Sequence, residues 1–442
     1  MPISPARVAG FEVLLRVEKT DAYASELLHA AQHAKLSAAD HGLATEVVMG
    51  VLRWRSVLDQ EIAKRSSLKL DRLDPEVLTA LRLTAYQLLF LDRVPERAAV
   101  HEGVELVKRA RKGSAAPFAN AVLRKFVRSE RVPDSLRDSK TASELAGHSA
   151  HPEWLVERWV QRFGIDPARQ ICMHDQRVPE TSINIRAGHV EAELKKDGIT
   201  LTPGRLLASA RRVAAADVSH TGVFREREVV IQDEASQLVA FLIGSGSRIL
   251  DCCAAPGGKT RLMAERNPAA GIVAADVHPH RARLLRKLVP AKNVQVIVAD
   301  ACNLPTSALF DRVLVDVPCS GTGTLARNPE IKWRLKPEDL LDLQARQISI
   351  LRSAMRRVAP GGILVYSTCS LEEEENQTVV QASLSGGDSF RILDCRQRLE
   401  ELKEQGELAW EDLDSLTSGP FLRTVPGLHP CDGFFAAILE RV

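Results

Sequence analysis

Cys319 and Cys369 stand apart from the other cysteines of this chain by their setting. Each follows an apolar run and sits among small or polar residues, in Asp316-Val317-Pro318-Cys319-Ser320-Gly321-Thr322-Gly323 and in Ser367-Thr368-Cys369-Ser370. A free cysteine is ordinarily a small buried hydrophobe. Cys172, Cys252, Cys302 and Cys395 keep that reading, because they lack such a context. A thiolate is needed where a substrate carbon is not itself nucleophilic, as at carbon-5 of cytosine. Addition of sulfur to carbon-6 makes carbon-5 enamine-like and able to take a methyl from a sulfonium. A carboxylate beside the base, such as Asp316, would favour that addition through ring nitrogen 3. Spacing alone leaves open which thiol attacks.

A second constellation points to the cofactor. The run at 248–251 leads into Asp251-Cys252-Cys253-Ala254-Ala255-Pro256-Gly257-Gly258-Lys259-Thr260. Paired glycines let a backbone approach a ligand and open the following helix. Asp276 lies 25 residues beyond Asp251, where an acid can accept from the two ribose hydroxyls of an adenosine. Dinucleotide binding would want G-x-G-x-x-G, which is absent. A phosphate loop would want G-x-x-x-x-G-K-[ST]; Gly258-Lys259-Thr260 supplies its end, but Cys253 occupies the place of the first glycine. An NTPase therefore stays a rival, with Val313-Leu314-Val315-Asp316 as its magnesium strand. S-adenosylmethionine needs only the glycine bend, a ribose acid (Asp276) and a polar edge for adenine (Asp300).

These residues need strands to present them. Apolar runs at 248–251, 271–275, 294–298, 312–317, 362–366 and 434–439 alternate with helical stretches such as Arg281–Leu288 and Glu338–Val358. Alternation of this kind predicts a mostly parallel sheet with helices on both faces, and ligands bind beyond the carboxyl ends of such strands. Residues 1–130 read as all helical. After a capping-box form at Ser37–Asp40, the apolar residues Leu43, Val47, Val51, Trp54, Leu58 and Ile62 make one stripe. Asp74-Pro75 marks a second helix start, with the stripe Val77, Leu81, Ala85, Leu88. Residues 131–150 read as a linker, and 151–235 as a small α+β connector with strand-like runs at 182–186 and 228–231. The catalytic domain is expected over 236–442.

The chain has 442 residues, with 59 basic and 57 acidic, which excludes a wholesale polycation. The charge is uneven: residues 1–130 hold 20 basic and 16 acidic residues, residues 371–414 only 4 and 13. No apolar run reaches the roughly 18 residues of a membrane span, and no signal segment opens the sequence. Eight cysteines without a C-x-x-C pair argue against a disulfide framework and a zinc site. The expectation is a cytoplasmic, monomeric protein without a metal.

ILDCCAAPGGKT (249–260), RVLVDVPCSGTGTLARNPEIKW (312–333), VYSTCS (365–370) and GFFAAIL (433–439) together resemble the RNA cytosine-5 methyltransferases, and within them the bacterial 16S ribosomal RNA branch of the RsmB or Sun type. ADHGLATEVVMGVLRWRSVLD (39–59) and PFANAVLRKF (117–126) resemble the helical RNA-binding domain of NusB, which that branch carries in front. The resemblance implies a NusB-like all-α domain, the connector, and a Rossmann-like α/β domain using S-adenosyl-L-methionine on RNA. It implies a cofactor loop of Cys253, Ala254, Ala255, Pro256, Gly257, Gly258 and Lys259. Asp276 would bind the ribose, Asp300 the adenine side, and Asp316 would lie next to methionine and base. Cys369 would be the nucleophile and Cys319 would aid product release. Val317 departs from the family's alanine and would narrow the base pocket.

Other residues are open to two readings. Arg53, Arg55, Arg124, Lys125 and Arg128 would form a phosphate-binding face or a solvated surface. Lys332 and Trp333 would touch RNA or pack on the domain. Glu372–Glu375 reads as a helix N-terminal turn rather than a metal site. No partner is evident for His148 or His429. The same chemistry on transfer RNA, and an RNA-binding assembly factor with a vestigial catalytic domain, are the remaining rivals.

Overall fold

The computed structural model describes residues 3–30, 36–127, 136–185, 188–215, 217–385 and 389–442. The chain divides into two compact units, Met1–Val178 with Leu325–Arg334, and Pro179–Thr324 with Leu335–Val442. No described helix is long and apolar enough to cross a membrane.

In its described residues the first unit is helical, built on a core that includes Leu14, Val48, Leu58, Leu81, Leu83, Leu106 and Leu123. Ser37 caps its helix as its residue type predicts, its hydroxyl accepting from the Asp40 N–H. The long stripe is carried by two helices rather than one, Ala38–Arg53 and Arg55–Arg65, which meet at Trp54. Pro75 begins the helix Pro75–Phe90, but the Asp74 side chain makes no cap and pairs with Lys112 instead.

The expected limits change here. Ala142–Ser149, inside the stretch read as linker, is a helix with a full Thr141/Glu144 capping box. Polar residues signal a loop only when none of them satisfies a helix end, and here they do. Helices Glu153–Phe163 and Ile165–Asp175 belong to the helical unit, so the α+β stretch begins at Pro179 rather than 151. Residues 131–135 of the expected linker, Arg128 and Arg186 lie outside the described residues.

The helical unit also takes in Leu325–Arg334, far along the chain. Leu325 and Ala326 are buried. Arg53 donates to the Ala326 carbonyl, the Lys332 amine to the Arg53 carbonyl and the Trp333 indole N–H to the Leu52 carbonyl. Arg334 caps the end of the helix Pro5–Lys19 and the turn after it, through the carbonyls of Val17, Thr20 and Ala22. Burial pulls the Lys332 amine down to about 7, against the opposing pull of Asp175 and Cys172. The packed reading of Lys332 and Trp333 therefore holds.

The second unit has two sheets. The smaller joins β1 (Thr181–Asn184), β2 (Thr200–Pro203), β3 (Ala210–Ala215) and β4 (Val230–Ile231), all antiparallel, in the order β2-β3-β1-β4. It is part of this unit rather than a separate connector. Buried Glu234 accepts the backbone N–H groups of Leu206 and Leu207, and Asn184 donates to Gln237. The larger sheet has β5 (Arg248–Asp251), β6 (Gly271–Asp276), β7 (Val294–Val298), β8 (Phe310–Asp316) and β9 (Val358–Thr368), then β10 (Phe390–Leu393), β11 (Thr417–Ser418), β12 (Phe421–Thr424) and β13 (Phe434–Arg441). Its order is β11-β12-β13-β9-β8-β5-β6-β7, with β10 beside β13. Strands β5 to β9, five of the nine, are parallel as expected, and β10 to β13 extend the sheet as antiparallel strands.

Candidate active site

The carboxyl ends of β5, β6, β8 and β9 converge as a doubly wound sheet requires. Cys319 and Cys369, on the loops after neighbouring strands β8 and β9, lie with their sulfurs 3.3 Å apart. Hydrogen bonding to Cys369, together with burial, holds the Cys319 thiol well above the ordinary cysteine range.

The last residue of β8, Asp316, faces the glycine turn. One carboxylate oxygen accepts from the Lys259 ammonium at 2.8 Å, the other from the Ser367 hydroxyl at 2.7 Å. Burial opposes the charge on Lys259, but Asp316 outweighs it and holds the amine above its usual value. Cys369 adds in the same direction. The Lys259 amine also stands 5.1 Å from the centre of the Phe434 ring, a cation–π contact. Thr260 turns inward to Asp251 at 2.7 Å, and burial raises the Asp251 carboxyl to about 7. With Lys259 and Thr260 both committed within the protein, the phosphate-loop reading loses the two side chains it depends on.

The turn itself requires glycine, both for its backbone and for its close packing on the helix Pro279–Leu288. Gly257 has φ +117°, and a Cβ there would lie 2.6 Å from both Leu285 and Val289. Ala254 donates its backbone N–H to the Ala275 carbonyl, which ties the turn to β6. Asp276 is buried at the end of β6 and accepts from the His278 N–H. Asp300, after β7, is exposed and caps the turn at Cys302. Val317 is buried in the core with Tyr366, so it does not line an open pocket.

Glu375 is the residue the sequence did not single out. It is fully buried and binds both cysteine loops at once. It accepts from the Ser320 N–H at 2.8 Å, from Gln347 at 2.9 Å, from the Ser370 hydroxyl at 2.5 Å and from the Ser320 hydroxyl. Glu373–Glu375 forms a short helical turn ahead of the helix Gln377–Leu384, close to the helix start read from the sequence. A backbone junction completes the site: Gly323 donates to the Cys369 carbonyl and accepts from the Gly433 N–H.

The basic residues read as a phosphate-binding face or a solvated surface divide. Arg53 is buried and Arg55 pairs with Glu18, leaving Arg124 and Lys125 exposed. His148 and His429 do have partners, the Ser139 hydroxyl and the Val425 N–H.

Comparison with known proteins gives a consistent result. Residues 241–440 match the family described as 16S rRNA methyltransferase RsmB/F, and residues 4–128 match the NusB family. A probable ribosomal RNA small subunit methyltransferase B of Bacillus subtilis (strain 168) is 35% identical over 460 residues, covering all of both chains. Ribosomal RNA small subunit methyltransferase B of Vibrio cholerae is 31% identical over 453 residues, covering 99% of this chain and 98% of that one. The crystal structure of PH0851 covers the whole of both chains with a TM-score of 0.82 at 25% identity. NSun6 from Pyrococcus horikoshii with SFG shares the fold, with a TM-score of 0.56 at 19% identity over 66% of this chain and 99% of that one.

Proposed function

Because the chain belongs to the 16S rRNA methyltransferase RsmB/F family, and is an S-adenosylmethionine-dependent RNA methyltransferase, we propose that it methylates carbon-5 of one cytosine in 16S ribosomal RNA through a covalent thiol adduct at carbon-6. The observation that carries this reading is the pair of thiols 3.3 Å apart beside the Lys259–Asp316 ion pair. S-adenosyl-L-methionine, when bound, supplies an electrophilic methyl group.

The residues present fit that cofactor. Residues Cys253 to Lys259 form the glycine bend, Asp276 offers a buried carboxylate for the ribose, and Asp300 an exposed one for the adenine side. Asp316 closes the methionine end.

On the base, Cys369 is the attacking sulfur and Cys319 the proton holder. Both Asp316 oxygens already accept, so its carboxylate receives the amino group on carbon-4, and donation toward ring nitrogen 3 falls to Lys259. This reassigns the donor's part first given to Asp316. The Cys369 thiol proton leaves to solvent as its sulfur adds to carbon-6. After methylation the departing Cys369 sulfur takes the Cys319 proton and Cys319 takes the carbon-5 proton, so both thiols are restored and one proton is released per methyl transferred. A stacked cytosine hides carbon-6, so naked or partly assembled RNA is the preferred substrate. The NusB-family front favours ribosomal over transfer RNA. Labelled methyl donor with unmethylated 16S ribosomal RNA and with transfer RNA, mapped by bisulfite sequencing, tests the proposal. A single modified cytosine in 16S RNA is expected; label confined to transfer RNA overturns the target, and label on another atom overturns the chemistry.

A further inference from the structure

We infer that the helix Pro279–Leu288, with the edge strand β7 beside it, is a docking ridge for the phosphate backbone of the RNA substrate. The inference rests on the functional reading above and adds a surface to it.

Between Val277 and Ala299 the chain has five basic residues (Arg281, Arg283, Arg286, Lys287 and Lys292), two histidines and no acid. The whole protein carries a formal charge of only +2, so this segment alone exceeds the total and the remainder is net negative. The helix faces settle where the charge points. Ala282, Leu285 and Val289, spaced three and four apart, are buried against the sheet. His280, Arg283, Leu284, Lys287 and Leu288, on the opposite stripe, are exposed. Arg286 reaches sideways to the Val296 carbonyl and ties the helix to β7.

The ridge also exposes aliphatic surface. Val277, Leu284, Leu288 and Val298 are 38%, 45%, 38% and 54% exposed. Cations suit phosphates, and aliphatic faces between them suit riboses and unstacked bases. Arg281 pairs with Asp276, and the other charged groups between Val277 and Ala299 are all basic, which fits a polyanion and is why RNA is the committed occupant. Position agrees with this. The ridge starts next to Asp276, whose carboxylate accepts from the His278 N–H, so a strand lying on it runs from the lip of the cofactor cleft.

The test replaces three side chains that make no contact with the cofactor residues, as Arg283→Glu, Lys287→Glu and Lys292→Glu in the full chain. Methylation of naked 16S RNA is measured across a salt series, with S-adenosylmethionine affinity as the control for folding. At three phosphate contacts and about 0.7 per contact, the slope of log affinity against log salt becomes shallower by about 2. KM for RNA is expected to rise at least about ten-fold at low salt, where such contacts count most, with kcat and cofactor affinity unchanged. Unchanged KM and unchanged slope overturn the ridge, including the case in which that face holds a protein instead. If the triple variant loses cofactor affinity, Arg283→Gln and Lys287→Gln taken singly decide it by a slope change of about 0.7 each. If the unaltered chain methylates no RNA, the functional reading fails, and filter binding of the same RNA to both chains still decides the ridge.

Discussion

Two sulfurs 3.3 Å apart look alike in sequence, and substitution separates the roles proposed for them. Cys319 is held protonated by Cys369 and by burial. Cys369→Ala is expected to abolish both methylation and any covalent RNA adduct, whereas Cys319→Ala accumulates an adduct that survives a denaturing gel. The reverse pattern would exchange the two roles. Glu375 offers a different kind of test, since it touches neither thiol yet holds both loops. Glu375→Gln keeps the shape and weakens charge-assisted bonds of about 1.5–3 kcal/mol each. A fall in kcat of about ten-fold or more with unchanged cofactor affinity is expected from a stopped assay and calorimetry. The cysteines and Asp276 were legible because small residues and strand ends surround them. Glu375 was not, because its run offers four glutamates of one chemical type; the fold buries two of them, Glu372 and Glu375, and brings Glu375 to the cysteine loops.

Elements were legible where an apolar run coincides with a complete strand. The runs at 248–251 and 294–298 match β5 and β7 to the residue. The four antiparallel strands were harder. β11 has two residues and β10 and β12 four each, too short for alternation to register, and β10 finds its partner β13 some forty residues further along the chain. The linker failed for another reason: capping residues and loop residues are the same types. At this scale the Gly323–Gly433 junction gives the sharpest prediction, because a Cβ on Gly323 would fall 2.2 Å from the Gly433 carbonyl oxygen. Gly323→Ala is expected to cost about 1–3 kcal/mol in thermal unfolding and to shift the Cys369 loop, with methylation reduced more than cofactor binding.

The molecule as a whole answers to pH through Lys332. Its amine, ordinarily at 10.5, sits at about 7 when folded. Between those values the unfolded chain holds a proton that the folded chain lacks, so the contribution of Lys332 to the stability of the helical unit rises with pH across that window and is level below it. The slope is at most about 1.4 kcal/mol per pH unit. Lys332→Met should flatten it, as read by urea unfolding at pH 7.5 and 9. A chain cut to residues 179–442 would leave Leu325–Arg334 without the carbonyls of Leu52, Arg53 and Val17. That segment is expected to exchange its amide hydrogens freely. The same excursion has a consequence for birth on the ribosome. The helical unit emerges first, yet its last ten residues arrive only after 146 intervening ones, a wait of roughly 7–30 s at ordinary synthesis rates. A nascent chain therefore carries an unfinished front half through most of its translation, and a chaperone that shelters it has a defined moment of release, when Arg334 leaves the exit tunnel.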